Sequence, residues 1–405
     1  MKKMPSALLL IGAIILLAAS LRAPIVAVGP LVADIQQDLA VSSTMMGLIG
    51  TLPVLTFAVC SPFAASLGKR FGMEEVLIAA LLLLLAGMFI RTGGDSVWML
   101  LGGTIVLSAG IAMGNVLLSG MVKRSLPQHV GRVTSLYSMT MSLTAGLFAA
   151  AVVPLAAFFG SWRTALNVWM VFTAAALAVW LVMRWRSGHI PTPVTAQGRA
   201  AVQVWRSGLA WAISLMMGLQ SLLYYTFSAW LPEILAAKGV QAAEAGVYVM
   251  LFQVAAVPAV LGVTALAVRM KRHEGLISAV IGLSVVSLCA IGWWPSALWL
   301  WVTLVGVSVS GTFTLSLLLF VWRTESAGEA AALAGMAQTV GYLVAAAGPL
   351  GAGWLFERTG SWQWPLAALI LLMVMQGVCG WYCARPLTLR EAHEAALAKK
   401  GFKHG

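Results

Sequence analysis

The chain has 405 residues, 60% of them hydrophobic and 9% charged, with a mean hydropathy of +0.93. A water-soluble domain cannot hide that much apolar surface, because its outside needs polar residues. The net charge of +12 does not mark a nucleic-acid binder either: the basic residues come in twos and threes between apolar runs and form no face or arm.

Taken in order, the chain opens with "MKKMPS" and an apolar run over 7–33, too long for a signal-peptide core and therefore a retained first span. Eleven further apolar segments follow, at 44–67, 75–91, 97–122, 133–158, 163–183, 208–231, 243–267, 275–292, 297–321, 329–355 and 362–384. Each is near the roughly 20 residues that a helix needs to cross a bilayer. Most breaks carry charge, Pro or Gly, as in "GKRFGMEE" (68–75) and "KRSLPQHVGR" (123–132). The tightest, "GWWPSA" (292–297), has no charge and rests on Pro295. The longest connection, 184–208, is polar and basic and divides the spans six and six. The expectation is an all-α membrane protein of twelve transmembrane helices in two six-helix bundles, 1–186 and 208–385. A linker (187–207) joins them, and a tail (386–405) reads as a short basic helix at the membrane surface.

Lysine and arginine set the orientation. With the N-terminus inside, the inside segments hold twenty of the 25 basic residues, against Arg91, Arg163, Lys238 and Arg358 outside and Arg22 within the membrane. That bias predicts both termini in the cytoplasm, in a multi-pass protein of the inner (plasma) membrane. The halves also echo each other. "FFGSWRTAL" (158–166) is answered by "RTGSWQWPL" (358–366), with Pro154 and Pro349 ahead of each, and "VGPLVADI" (28–35) by "SAWLPEIL" (228–235). Two similar six-helix halves suggest a carrier that rocks one against the other around a midplane site.

Several stretches resemble the major facilitator superfamily. Within it they are similar to the cyanate-permease-like branch, which includes a bacterial 2-nitroimidazole exporter. They are "LRAPIVAVGPL" (21–31), "RFGMEEVLIAALLLLLAGMFIR" (70–91), "GNVLLSGMVKRSLP" (114–127), "YSMTMS" (137–142), "AWLPEIL" (229–235) and "LAGMAQTVGYLVAAAGP" (333–349). The resemblance implies the major facilitator fold and transport of a small molecule. One departure stands out: "ASLGKRFGME" (65–74) has Lys69 where the superfamily's loop carries an aspartate, with Glu74 or Glu75 as the available substitutes.

Arg22 is the residue that most needs explaining. A charge near the bilayer centre costs about 2.5–3.5 kcal/mol on insertion scales. Arg22 lies about 22 Å along a helix that begins near Ala7, too deep to reach either surface easily. All thirteen acidic residues fall at segment ends or in loops, and Asp34 is roughly 18 Å further along the same helix. Carbonyls freed by Pro24 and Pro30, hydroxyls and water are one way to satisfy the cation. The other is a central cavity in which the guanidinium, always charged and fork-shaped, binds an anion or an electron-rich group. Polar residues at similar depth complete the candidate substrate site: Asn115, Gln220, Tyr224, Gln253, Gln338 and Tyr342. Gln220 with Tyr224, and Gln338 with Tyr342, stand four residues apart on one helical face. Taken singly, each can equally be a tie between helices.

The five histidines lie in segments assigned to the cytoplasm, so no mid-membrane proton carrier is evident; Asp34 and Glu233 are the fallback proton-coupling sites. Cys60, Cys289, Cys379 and Cys383 lack zinc-ligand spacing and read as packing residues. No nucleophile, metal cluster or acid–base pair suggests an enzyme, and no cofactor is implied. The reading is a monomeric secondary transporter of a small anion or compact nitro-heterocycle. A broad-specificity drug exporter and a non-transporting sensor on the same fold are the alternatives. Against the exporter, pumps for cationic drugs generally use a buried carboxylate.

Overall fold

A computed structural model describes residues 7–187, 204–270, 272–294, 296–325, 327–385 and 387–392. Residues 1–6, most of the expected linker, Pro295 and the tail beyond 392 lie outside the described residues.

Every regular element among the described residues is a helix. The first segment divides into α1 (Ala7–Val26), a 3-10 turn (Gly29–Leu31) and α2 (Val32–Leu39). Next come α3 (Ser43–Phe71), α4 (Met73–Thr92), α5 (Val97–Ser125) and α6 (Val130–Phe159). The sixth segment forms α7 (Trp162–Asn167) and α8 (Met170–Ser187), the seventh α9 (Gly208–Ala236), and the eighth α10 (Ala242–Val254) and α11 (Ala256–Arg269). The last four are α12 (Glu274–Trp293), α13 (Leu298–Trp322), α14 (Ala327–Thr359) and α15 (Gln363–Ala384).

Eleven described helical stretches are long and apolar enough to cross a membrane. The seventh expected segment, α9, is not among them although it has 29 residues. Ser214, Gln220, Ser221, Tyr224, Tyr225 and Thr226 dilute its hydropathy, and two of these are candidate site residues.

The breaks have local causes. α1 stops at Val26: the Val28 amide turns back to the Ile25 carbonyl at 3.3 Å, which opens the 3-10 turn and takes from the Pro24 carbonyl its helical donor. Pro258 likewise leaves the Val254 carbonyl without its helical donor, and the eighth segment breaks at Ala255. The repeated Gly-Ser-Trp turn has one geometry in both places. Gly160 and Gly360 end α6 and α14 with φ of 65° and 66°, the left-handed region that favours glycine. Trp162 and Trp362, two residues further on, are buried at 6% and 5% exposure.

The chain falls into two compact units. Unit 1 comprises 1–194, 226–254 and 349–360; unit 2 comprises 195–225, 255–348 and 361–405. The borders cut α9 and α14 in mid-helix and coincide with the break at Ala255. In unit 1, α1 is the buried centre, with Ala13, Ile14, Leu17 and Ala18 fully covered. In unit 2 the core gathers Ile213 and Met216 of α9, Ile277 and Ile281 of α12, Leu315 and Leu319 of α13, and Leu333 and Met336 of α14. Arg323, just past α13, donates from Nε and Nη2 to the Cys383 and Ala384 carbonyls at 3.0 and 2.9 Å, capping α15. Burial lowers its pKa from the usual guanidinium value.

The closest helix contact in unit 1 is between α4 and α5. A Cβ added at Gly103 would lie 2.3 Å from the Arg91 backbone nitrogen, whereas one at Gly102 would meet nothing within 4 Å. Gly103→Ala should therefore cost about 1–3 kcal/mol through overpacking against backbone. Thermal unfolding in detergent, with Gly102→Ala unchanged beside it, checks this.

Candidate functional site

In unit 1 the candidate residues gather around α1. Arg22 is half-buried, and its Nη1 donates to the Ser142 hydroxyl of α6 at 3.2 Å. The back of α1 is held by donors to its carbonyls. Trp180 Nε1 bonds Ala13 at 3.1 Å, while Trp169 Nε1 and Thr144 Oγ1 both bond Ala19, at 3.1 and 3.3 Å. Asn115, also half-buried, follows Gly114, whose added Cβ would lie 2.6 Å from Leu21 Cδ2. α5 thus crosses α1 beside Arg22, and Asn115 shares its level.

Gln253 is placed by register. α6 and α10 pack with Gly146 against Met250 and Gly246 against Ala149, an antiparallel arrangement. Continued by one turn, it sets Gln253 level with Ser142. Gln253 itself is 1% exposed.

The other candidates belong to unit 2. There α9 and α14 cross where Gly218 meets Gly341, an added Cβ at Gly218 lying 3.0 Å from the Gly341 Cα. Tyr342 follows the crossing and Gln220 stands two residues past it. Gln220 is buried, its Oε1 accepting from the Ser221 hydroxyl at 3.0 Å. Tyr224, Gln338 and Tyr342 are half-buried, and the Tyr224 ring meets Tyr225 edge-on at 5.0 Å. Arg22, Asn115 and Gln253 are thus brought to one level in unit 1, and Gln220 and Tyr342 to one crossing in unit 2.

The acidic candidates differ. Asp34 is exposed and Glu233 half-buried. The substitutes near Lys69 are both engaged within unit 1: Glu74 pairs with Arg124, and Glu75 with Arg184 at 2.7 Å. At the opposite end of unit 1, Arg163 bridges Asp38 at 2.5 Å and Asp95 at 2.9 Å. Among the cysteines, Cys383 is buried and Cys289 exposed, so Cys289 is not a core residue.

Sequence reasoning missed three features. Ser142 gives no signal, since a lone serine in a helix is commonplace. Arg91, counted among the outside residues, has its side chain inside unit 1 at 1% exposure. The third is a seam between residues 349–360 of α14 and the start of α3. An added Cβ at Gly47 would lie 2.6 Å from the Pro349 carbonyl oxygen. The Leu350 amide donates to Thr51 Oγ1 at 3.1 Å. Glu357 Oε2 accepts from the Thr44 amide at 3.0 Å and from the Thr44 hydroxyl.

The family model described as Major Facilitator Superfamily matches residues 8–349. The chain belongs to this superfamily. It is 40% identical over 375 residues to the 2-nitroimidazole transporter of Escherichia coli (strain K12), covering 92% of this chain and 95% of that one. It is 37% identical to the uncharacterized transporter YycB of Bacillus subtilis (strain 168), covering 94% of each. Similarity to the cyanate transport protein CynX of Escherichia coli (strain K12) is weaker, 25% over 89% of this chain and 94% of that one. In fold it matches a bacterial homolog of the human lysosomal transporter Spinster, with a TM-score of 0.77 at 13% identity over 93% of this chain and 97% of that one. As a member of the Major Facilitator Superfamily, the protein is a transporter and not an enzyme.

Proposed function

We propose that the chain crosses the inner membrane twelve times, with both termini in the cytoplasm, and carries a small anion or compact nitro-heterocycle by alternating access. Arg22 is the principal ligand. The twelfth crossing is α9, whose 29 residues extend about 43 Å, beyond the ~30 Å hydrocarbon core. Bundles 1–186 and 208–385 are the two halves, joined by 187–207 and followed by the tail 386–405, in a protein that works as a monomer without a cofactor.

The observation that carries this reading is Arg22: a half-exposed guanidinium midway along a spanning helix, hydrogen-bonded to the neutral Ser142, with Asn115 at its level. Forked donors suit the two oxygens of a nitro group or the end of a linear anion. Tyr224 and Tyr342 supply aromatic walls, and Asn115 and Gln338 polar contacts. Gln220 and Gln253, buried in this arrangement, join the set as the helices that carry them move. Relatives named for 2-nitroimidazole and cyanate transport support the same cargo class. A negative-inside potential favours exit of an anion by about 2.3 kcal/mol per 100 mV, so uncoupled transport runs outward. Asp34 and Glu233 are the sites for proton coupling if there is any.

Alternating access draws support from the seam within unit 1. Glycine-lined contacts, one part-buried hydrogen bond and the exposed bonds of Glu357 make a joint that can separate without stranding buried charge. The borders of unit 1 in α9, at Ala255 and at Pro349 mark where those helices would flex.

Two outcomes follow from this reading. In thermal-shift titrations with cyanate and 2-nitroimidazole, Arg22→Gln should lose about 10- to 100-fold in affinity, the worth of charge-assisted hydrogen bonds. Equal affinity in parent and variant would remove Arg22 from the site. In a background without the four native cysteines, a short reducible thiol bridge between Thr44→Cys and Glu357→Cys should stop flux, and reduction should restore it. Unimpeded flux in the bridged protein would contradict alternating access at this seam.

A further inference from the structure

Arg91 is a second cation at membrane depth, and the reading above gives it no role. It lies in the last turn of α4 and is 1% exposed. Its Nη1 donates to the Pro24 carbonyl at 2.8 Å. Its Nε and Nη2 are sealed from solvent with no hydrogen-bond partner among the described residues. A buried cation without a carboxylate is costly, and an apolar side chain of similar length would pack there more cheaply. α5 packs closely behind it, with Gly103 where any side chain would strike the Arg91 backbone.

What the guanidinium touches suggests why. The Pro24 carbonyl lies at the end of α1, where the Val28 amide has turned to Ile25 and its usual helical donor is gone. Arg91 supplies the missing donor at the point where the first span bends. Pro24 is two residues beyond Arg22, about 200° around the helix, so the two side chains meet α1 from different sides. Arg22 turns to Ser142 on α6, and Arg91 arrives from α4. A unit charge about 10 Å from a bound anion, at an effective dielectric near 20, changes affinity on the order of tenfold.

We propose that Arg91 is a positioning residue for the Arg22 site: it fixes the bend of the first span through the Pro24 carbonyl and adds positive potential behind the bound anion. The electrostatic half rests on the anion-binding reading above; the bend does not.

The test compares Arg91→Lys, Arg91→Gln and Arg91→Met in the purified full chain, with two measurements on each. One is the affinity for cyanate by thermal-shift titration; the other is amide hydrogen exchange over residues 26–31. Lysine keeps charge and donor, so both should stay near parent. Glutamine keeps a donor without the charge, so exchange should stay near parent while affinity falls five- to twentyfold. Methionine removes both, so exchange should rise and affinity fall at least as far. A folded Arg91→Met or Arg91→Gln with parent-like affinity overturns the electrostatic role. Parent-like exchange in Arg91→Met overturns the positioning role. If Arg91→Met does not fold, glutamine against lysine decides the charge, and exchange in Arg91→Ala against parent decides the donor. If the parent itself binds no cyanate, the anion reading and the electrostatic role fail together, and exchange alone still decides the bend.

Discussion

The Pro24 carbonyl loses its helical donor where the Val28 amide turns to Ile25, and Arg91 of α4 takes that donor's place. α1 ends at Val26, the chain turns through a 3-10 segment, and α2 sets off anew. Carbonyls of a membrane helix cannot be left bare in a medium without water. Arg91, Trp169, Thr144 and Trp180, from α4, α6 and α8 and the turn before α8, donate to the backbone of α1 at intervals along it. The helix that carries Arg22 is therefore fixed by its backbone. Its one charged side chain, Arg22, turns to Ser142 of α6.

Ion pairs brace the other helices of unit 1 at both ends. Glu74 and Glu75 tie the start of α4 to α5 and α8. At the other end Arg163 joins Asp38 to Asp95 while lying over the Trp162 ring at 4.4 Å. Such pairs at helix ends define geometry, and at one end the arginine is also stacked. Contacts to 226–254 and 349–360 are different in kind: backbone against glycine and a carboxylate over the first turn of α3. Close packing of small residues gives short-range attraction and little that resists separation.

Much of this was legible in the sequence. The hydropathy segments 75–91, 275–292 and 362–384 lie within two residues of α4, α12 and α15. Repeated Gly-Ser-Trp turns marked equivalent corners, and both adopt the same left-handed glycine. What escaped has physical reasons. α9 runs to Ala236, beyond the expected stop at 231, because Pro232 is carried within the helix by the buried Trp230, Ile234 and Leu235 around it. The eighth segment looked continuous, since a proline's effect on the carbonyl four residues earlier does not alter hydropathy. Arg91 was counted outside because position along the chain says nothing of where a side chain turns. For the candidate site, sequence supplied depth but not exposure, which separates buried Gln220 and Gln253 from half-exposed Arg22, Asn115, Tyr224, Gln338 and Tyr342.

The most direct measurement is flux of labelled cyanate and 2-nitroimidazole in proteoliposomes holding the parent chain or Arg22→Gln. The account predicts saturable movement of at least one of the two by the parent and its loss in the variant. Movement by neither in the parent, or equal movement by both proteins, would contradict it.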